Sequence, residues 1–352
     1  MHVFSAADAI APAITRTRRF LFEPFRLGTF LKLSLVAVIT EGMSGNLRGL
    51  NFHPGSHGGA PGTMPPPNFP GAWLGLALLA IAIFVPIAIL IAYLITRLRF
   101  AYFHCLVYQV KQIAPGWKLY REQAMRFFLL NIGVGFAFLA VVVLCALPFV
   151  SGLIKFFHEM HQGSQFDWSG LLALVLPLIL VLLVLCVLGW MTDVFLRDLM
   201  LPHIALENAT VGEAWESASA RVGAEPGAFI LYGFLRLVLP MVAFIAVGLV
   251  LVIPVAVIGV GIGAMAAGLA SLMVNADGFT KVLLVIIETA DILLGAGIAL
   301  FVGLFVGGPV ATAIRNYTLV FYGSRYPLLG NLLYPPAPPQ PAPGFAGAPV
   351  GS

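Results

Sequence analysis

Four polar residues lie in or beside long apolar stretches of the chain, where such side chains are rare. Arg236 precedes the longest apolar stretch, Glu288 and Asp291 precede the last one, and Asn131 lies inside another. An ionisable residue in a membrane segment is costly and marks a functional site by default. Glu288 and Asp291 are three residues apart and therefore share one helix face. These four residues are the candidate intramembrane polar site.

Three interpretations of this site remain open. Arg236 and Asp291 form a buried ion pair, or Glu288 and Asp291 handle a cation or a proton, or the charges are interfacial anchors. With a helical rise of about 1.5 Å per residue, Arg236 falls near the inner end of its helix and Asp291 near the outer end. A pair between them needs a tilted or shifted last helix, so interfacial anchoring is the expectation.

Histidines and cysteines give weaker signals. His53 and His57 are four residues apart, but Pro54 between them prevents a helix. His158 and His161 are either solvated loop residues or a weak surface metal site. The three cysteines form no CxxC pattern, and no nucleophilic triad can be named. We therefore expect no enzymatic activity, no metal and no cofactor.

Composition decides which solvent surrounds these residues. Of the 352 residues, 60% are hydrophobic and only 10% are charged, and the mean hydropathy is +0.98. Soluble domains carry roughly 25% charged residues. So few charges cannot cover the surface of a water-soluble fold of this length, which excludes a soluble enzyme, a disordered chain and a nucleic-acid-binding protein. The sequence predicts an all-α, polytopic transmembrane helix bundle.

Uncharged runs locate the membrane spans, because about 20 apolar residues cross the hydrocarbon core. A weaker sixth candidate, 27–40, has 14 residues and contains Lys32. The run 237–276 is either one kinked helix or two spans, so seven spans remain an alternative to about six. The five strong candidates are 72–96, 127–154, 168–192, 237–276 and 292–314.

Six spans place most Lys and Arg residues on one side, which is the cytoplasmic side in bacterial inner-membrane proteins. Both chain ends are then cytoplasmic. The predicted organisation is an amphipathic N-terminus at 1–26, a transmembrane domain at 27–322 and a proline-rich disordered tail at 323–352. A Gly/Pro-rich external loop occupies 42–71.

Two cytoplasmic segments have opposite charge. The segment 97–126 combines six basic residues with interleaved aromatic residues, which is typical of a helix lying on an anionic lipid leaflet. The segment 198–225 is acidic and is predicted to pair with the basic segment or with a soluble partner. The expected partners are therefore the lipid bilayer and its anionic lipids, with no nucleic acid.

Two passages carry a family resemblance: RLRFAYFHCLVYQVKQIAPGWKLYREQAMRFF from Arg97, and FLRDLMLPHIALENATVGEAWESASARVGAEPGAFILYGFLRLVL from Phe195. They resemble uncharacterised bacterial multi-pass membrane proteins, which are similar to the membrane domain of glycerophosphoryl diester phosphodiesterases. That family's catalytic domain needs an HR pair and a carboxylate cluster. This sequence has no HR dipeptide, so the resemblance implies the membrane domain without its hydrolase.

Function is the least determined property of the sequence. Because no polar pathway is evident at mid-membrane, the expectation is a non-enzymatic scaffold or accessory membrane component. The alternative is a transporter or channel for a small solute or lipid-related molecule. A cavity lined by Arg236, Asn131, Glu288 or Asp291 would favour that alternative.

Overall fold

A computed structural model describes residues 3–42, 71–161, 168–273 and 277–335. Within these ranges the ordered elements are helices and there is no strand, which confirms the all-α prediction. Two π-helical turns, Val38–Gly42 and Phe195–Met200, follow α2 and α6. The helices are α1 (Ile10–Phe22), α2 (Leu27–Ala37), α3 (Gly71–Tyr108), α4 (Ala114–Leu119), α5 (Arg121–His161), α6 (Trp168–Val194), α7 (Leu201–Leu206), α8 (Val211–Ala224), α9 (Pro226–Met273), α10 (Gly278–Gly323) and α11 (Pro327–Leu333).

Five of the described helices, α3, α5, α6, α9 and α10, are long and apolar enough to cross a membrane. The chain is thus a helical membrane protein. Helix α9 continues through Pro240 and Pro254, so the ambiguous run 237–276 belongs largely to one helix. Proline is tolerated in membrane helices because neighbouring groups satisfy the freed backbone carbonyls.

Packing is concentrated at the end of the bundle where α3 finishes and α9 begins, which we call the packed end. Large aromatic side chains, including Phe100, Phe103, Phe127 and Phe321, are fully buried there. Toward the other end the long helices expose apolar faces, and Leu249 of α9 is 72% exposed. In a bilayer these faces contact lipid, so the protein-protein core lies mainly at the packed end.

The segment 27–40 is not among the five helices that are long enough to cross a membrane, so its crossing stays a prediction. Just before α2, the Glu23 carbonyl accepts a hydrogen bond from Lys111 Nζ at 3.1 Å. Just after α2, Glu41 pairs with Arg197. Both contacts are at the packed end. The 11 residues of α2 extend only about 16 Å, against a hydrocarbon core of about 30 Å.

The basic segment 97–126 is not a single surface helix. It comprises the end of α3, the short α4 and the start of α5. Phe100, Tyr102 and Phe103 are buried in the core rather than facing lipid headgroups. Ala101 between them is also fully buried, so this end of α3 is enclosed by protein on nearly all sides. Lys118 and Arg121 remain exposed.

Two predicted loop regions contain helix. Helix α5 extends to His161, so the backbone at His158 is helical rather than a loop. In the predicted tail, α11 packs into the core through Leu329 and Leu333. The predicted N-terminal amphipathic helix is α1. The external loop 42–71, apart from its ends, and the tail beyond residue 335 lie outside the described residues.

Close packing of α2 on α10 generates a first prediction. A Cβ atom at Gly308 would lie 2.7 Å from Ser34 Cα and closer still to the Ser34 side chain. Gly308→Ala should therefore lower the free energy of unfolding by about 1–3 kcal/mol, measured by thermal unfolding in detergent. Gly303→Ala on the same helix is the control, because nothing lies within 4 Å of its Cβ position. Equal melting temperatures for the two variants would contradict this packing.

Candidate functional site

Five charged side chains are buried together at the packed end, and we call them the charged cluster. At most 10% of any of these side chains is exposed. Removing a charge from water costs several kcal/mol unless it is paired and hydrogen-bonded. The members must therefore compensate one another. They are Glu41 after α2, Arg197 and Asp198 in the turn after α6, Arg236 in α9 and Arg315 in α10.

Asp198 is the most enclosed member, with no exposed side-chain surface. Its Oδ1 accepts a hydrogen bond from Arg315 Nη1 at 2.7 Å. Its Oδ2 accepts bonds from Arg236 Nε at 3.1 Å and from the Tyr232 hydroxyl at 2.7 Å. The Thr318 hydroxyl lies 2.9 Å from that of Tyr232. Both carboxylate oxygens are thus bonded, which joins the turn after α6 to α9 and α10.

Glu41 is the second anion of the cluster. Its Oε2 lies 3.2 Å from Arg197 Nη2 and 3.3 Å from Arg236 Nη2, and its Oε1 lies 3.8 Å from Arg315 Nε. Burial acts to raise the pKa of Glu41, but the three arginines more than offset it and hold the pKa below its ordinary value. Glu41 is therefore ionised at neutral pH and attaches the end of α2 to three other segments.

Both π-helical turns supply members of the cluster. Val38–Gly42 contains Glu41, and Phe195–Met200 contains Arg197 and Asp198. In a regular α-helix, neighbouring side chains point about 100° apart. A π-helical turn changes these directions and is frequent at functional sites. The turn after α6 contains Arg197 and Asp198, which are neighbours in sequence and both pair with other members of the cluster.

A cavity of about 850 Å³ opens beside the charged cluster, between α6, α9 and α10. This volume lies within the usual range of small-molecule sites, about 300–1,000 Å³. One end is charged, and the walls are apolar. The charged end is formed by Glu41, Asp193, Arg197 and Arg236, and the walls include Leu237, Met241, Phe244, Val310 and Ile314.

Arg236 and Asp291, one of the pairs considered from the sequence, do not meet. Arg236 bonds to Asp198 and Glu41 instead, because it lies at the packed end whereas Asp291 lies nearer the start of α10, away from that end. Asp291 is 3% exposed, and its carboxylate oxygens have no hydrogen-bond partner among the described residues. Glu288 is half-buried on the same helix. A role for Glu288 and Asp291 in cation or proton handling stays a prediction.

Asn131 lies between α3 and α5, away from the charged cluster. Its Nδ2 donates to the Phe127 carbonyl of its own helix at 3.0 Å. It lines a smaller cavity of about 300 Å³ between α3 and α5, together with Thr96 and Arg99. The four residues predicted as one polar site are therefore distributed over separate regions, and only Arg236 belongs to the charged cluster.

Sequence reasoning missed four of the five cluster members: Glu41, Arg197, Asp198 and Arg315. Their positions at or near the ends of apolar runs are typical of residues at membrane boundaries, so the sequence pattern alone does not single them out. A usable signal exists in Arg197 and Asp198, because adjacent opposite charges a few residues after a long apolar run suit a buried pair as well as a loop. Nothing local identified Glu41 as their partner, since it lies more than 150 residues away in the sequence.

The predicted pairing between acidic and basic cytoplasmic segments is not seen at two of its acidic residues. Asp198 bonds to arginines of α9 and α10, and Glu225 pairs with Arg325 at 2.9 Å. No group of three metal-binding side chains occurs in the portion of the chain that the structure describes. His53 and His57 lie outside that portion.

The family model described as "Family of unknown function (DUF7544)" matches residues 4–332. The chain belongs to this family. The match includes the charged cluster and all five long helices. No curated protein and no solved structure matches the chain. The similarity to membrane domains of glycerophosphoryl diester phosphodiesterases stays a prediction.

The burial of Asp198 leads to a second prediction. Asp198→Asn leaves Arg236 and Arg315 buried without their shared carboxylate, and breaking such a pair costs about 3–5 kcal/mol. The variant should melt at a clearly lower temperature in detergent. Glu216→Gln, on the exposed face of α8, is the matched control and should melt like the unmodified protein. An unchanged melting temperature for Asp198→Asn would show that the cluster does not hold the fold.

The lowered pKa of Glu41 gives a pH dependence. A carboxylate with a depressed pKa in the folded state adds stability above its ordinary pKa, here 4.5, and this stability is lost as the pH falls through the depressed value. The stability difference between the unmodified protein and Glu41→Gln should be largest near pH 7 and shrink below pH 4.5. Thermal unfolding of both proteins from pH 7 to pH 3 measures this difference. A constant difference would contradict the assignment.

Proposed function

We propose that the protein is a non-enzymatic, multi-pass component of the bacterial inner membrane that serves as a scaffold or accessory subunit. The observation that carries the proposal is the bonding within the charged cluster. Asp198 and Glu41 are held by arginines from three segments. Charges used in this way fix helices relative to one another, which is the requirement of a scaffold.

The arrangement of the chain ends supports a common side for both of them. Arg325, just after α10, donates to the Phe4 carbonyl at 2.9 Å. Exposed Lys118 and Arg121 lie at the same end, and positive residues are enriched on cytoplasmic sides. We therefore assign the packed end to the cytoplasm, where anionic lipid headgroups would contact the exposed basic residues.

About six passages through the membrane are consistent with this orientation. Five crossing helices alone would leave the two chain ends on opposite sides. Gly42 lies at the packed end, whereas Gly71 begins α3 at the far end. The proposal of about six spans therefore needs one further passage before α3, in addition to the five long helices.

A transporter is the second candidate, and the cavity of about 850 Å³ is the observation that favours it. A transported solute must reach its site from each side of the membrane in turn. A scaffold has no such requirement. Access to the cavity wall from the two sides therefore separates the candidates.

Cysteine labelling in oriented vesicles tests this difference. Met241→Cys, in a variant with Cys105, Cys145 and Cys186 replaced, would place a thiol on the cavity wall. For a scaffold we expect a membrane-impermeant methanethiosulfonate reagent to leave this thiol unlabelled from the external side under all conditions. Labelling from both sides would contradict the proposal and favour a transporter.

Two exposed positions calibrate the labelling. Glu216→Cys on α8 should react only from the cytoplasmic side, and Lys281→Cys near the start of α10 only from the external side. The reverse pattern would overturn the proposed orientation.

A further inference from the structure

The cavity beside the charged cluster has two chemically distinct parts. One end is lined by ionised side chains, and the wall beyond it is apolar. Met241 and Ile245 of that wall are 58% and 61% exposed, so the wall is open to hydrocarbon in a bilayer. A molecule with a polar head and an apolar chain matches both parts at once.

The charges that line the cavity balance, because they are two carboxylates and two arginines. These residues are Glu41, Asp193, Arg197 and Arg236. The remaining members of the cluster, Asp198 and Arg315, pair with each other at 2.7 Å and add no net charge. A net charge beside hydrocarbon is unfavourable. The lining therefore favours an occupant whose own charges sum to zero.

Two of the lining groups have bonding capacity left for an occupant. Asp193 is 33% exposed, and its one ion pair, with Arg197 at 3.4 Å, is not accompanied by a hydrogen bond among the described residues. Arg236 is 10% exposed. Its Nε bonds to Asp198 and its Nη2 to Glu41, but its Nη1 has no hydrogen bond within the described ranges. Asp193 therefore needs a donor, and Arg236 needs an acceptor.

These two groups lie at opposite ends of one short chain of ion pairs along the cavity. Asp193 contacts Arg197, Arg197 contacts Glu41 at 3.2 Å, and Glu41 contacts Arg236 at 3.3 Å. A headgroup that carries a cation and an anion side by side suits this arrangement. A primary ammonium has three N–H donors for a carboxylate, and the planar guanidinium of arginine matches phosphate oxygens.

We propose that the cavity binds a zwitterionic phospholipid with a primary ammonium group, of the phosphatidylethanolamine type. The ammonium lies at Asp193, the phosphate lies at Arg236, and an acyl chain lies along the apolar wall. Phosphatidylcholine is a poorer occupant, because its quaternary ammonium has no N–H to donate. This inference goes beyond the scaffold proposal and does not require it, since a lipid site is compatible with a scaffold or a transporter.

Fluorescence quenching by brominated lipids tests the site, since Trp190 lines the cavity. A variant with Trp190 as its sole tryptophan would be placed in phosphatidylcholine vesicles containing brominated phosphatidylethanolamine, phosphatidylcholine or phosphatidylglycerol. We expect half-maximal quenching at an about fivefold lower fraction of the ethanolamine lipid, the upper range for one partly exposed ion pair. The control carries Leu180→Trp as its sole tryptophan, at an exposed position of the same helix, and should show no preference.

A change of lipid preference separates recognition from folding. Asp193→Asn leaves one more arginine than carboxylates, so the preference should pass from phosphatidylethanolamine to the anionic phosphatidylglycerol. Loss of folding would remove selectivity instead of exchanging it. Asp193→Glu is the matched control, because it retains the carboxylate and should keep the preference for phosphatidylethanolamine.

A second variant tests the cavity itself without touching a charge. Gly303→Leu fills the cavity from α10, where nothing lies within 4 Å of the Cβ position. Quenching of Trp190 should then show no preference among the three lipids. The melting temperature in detergent should stay close to that of the unmodified protein, because no charged pair is changed.

Four results would overturn the proposal. Equal quenching by the ethanolamine and choline lipids would show that Asp193 does not select the headgroup, as would an unchanged preference in Asp193→Asn. Quenching by none of the lipids would show that lipid does not enter the cavity. Loss of the preference on adding soluble phosphoethanolamine would assign the site to a soluble zwitterion. None of these outcomes bears on the cysteine labelling, so the two proposals fail separately.

Discussion

A carboxylate that is withdrawn from water needs cations at short distance, and Asp198 meets this need with Arg315 and Arg236 at 2.7 and 3.1 Å. The interaction constrains the rest of the structure, because these arginines belong to different long helices. Glu41 adds a second anion, which attaches the end of α2 to the same arginines. Such a network is costly to break in part, and we infer that it favours one arrangement of the helices over others.

The same constraint accounts for the uneven packing of the bundle. Ion pairs and buried aromatic residues hold the helices together at the packed end. Beyond that end, the apolar helix faces are as stable in contact with lipid as in contact with another helix. Without a hydrophobic drive for association inside the bilayer, helices separate unless small residues or polar groups hold them together. The separation of α6 from α9 and α10 opens the cavity next to the cluster. The cavity and the fixation of the helices therefore have the same structural origin.

The sequence predicts the membrane environment and the long helices more securely than the candidate functional site. Long uncharged runs predict crossing helices because backbone groups in lipid must bond internally, and the five strong candidates correspond to α3, α5, α6, α9 and α10. The role of charged residues near the ends of apolar runs is ambiguous in the sequence, because Arg197 and Arg315 fit exposed membrane anchors and buried ion-pair partners equally well. Glu41 and Asp198 are joined only through tertiary structure. Asp291 was singled out by its local surroundings, yet the structure gives it no charged partner among the described residues.

A double-mutant cycle between Asp198 and Arg315 measures the central interaction directly. Asp198→Asn, Arg315→Gln and the double variant would be unfolded under identical detergent conditions. If the two side chains depend on each other as described, the double variant should lose less stability than the sum of the single variants, with a coupling of about 1–3 kcal/mol. Strict additivity would mean that the charged cluster does not organise this membrane protein.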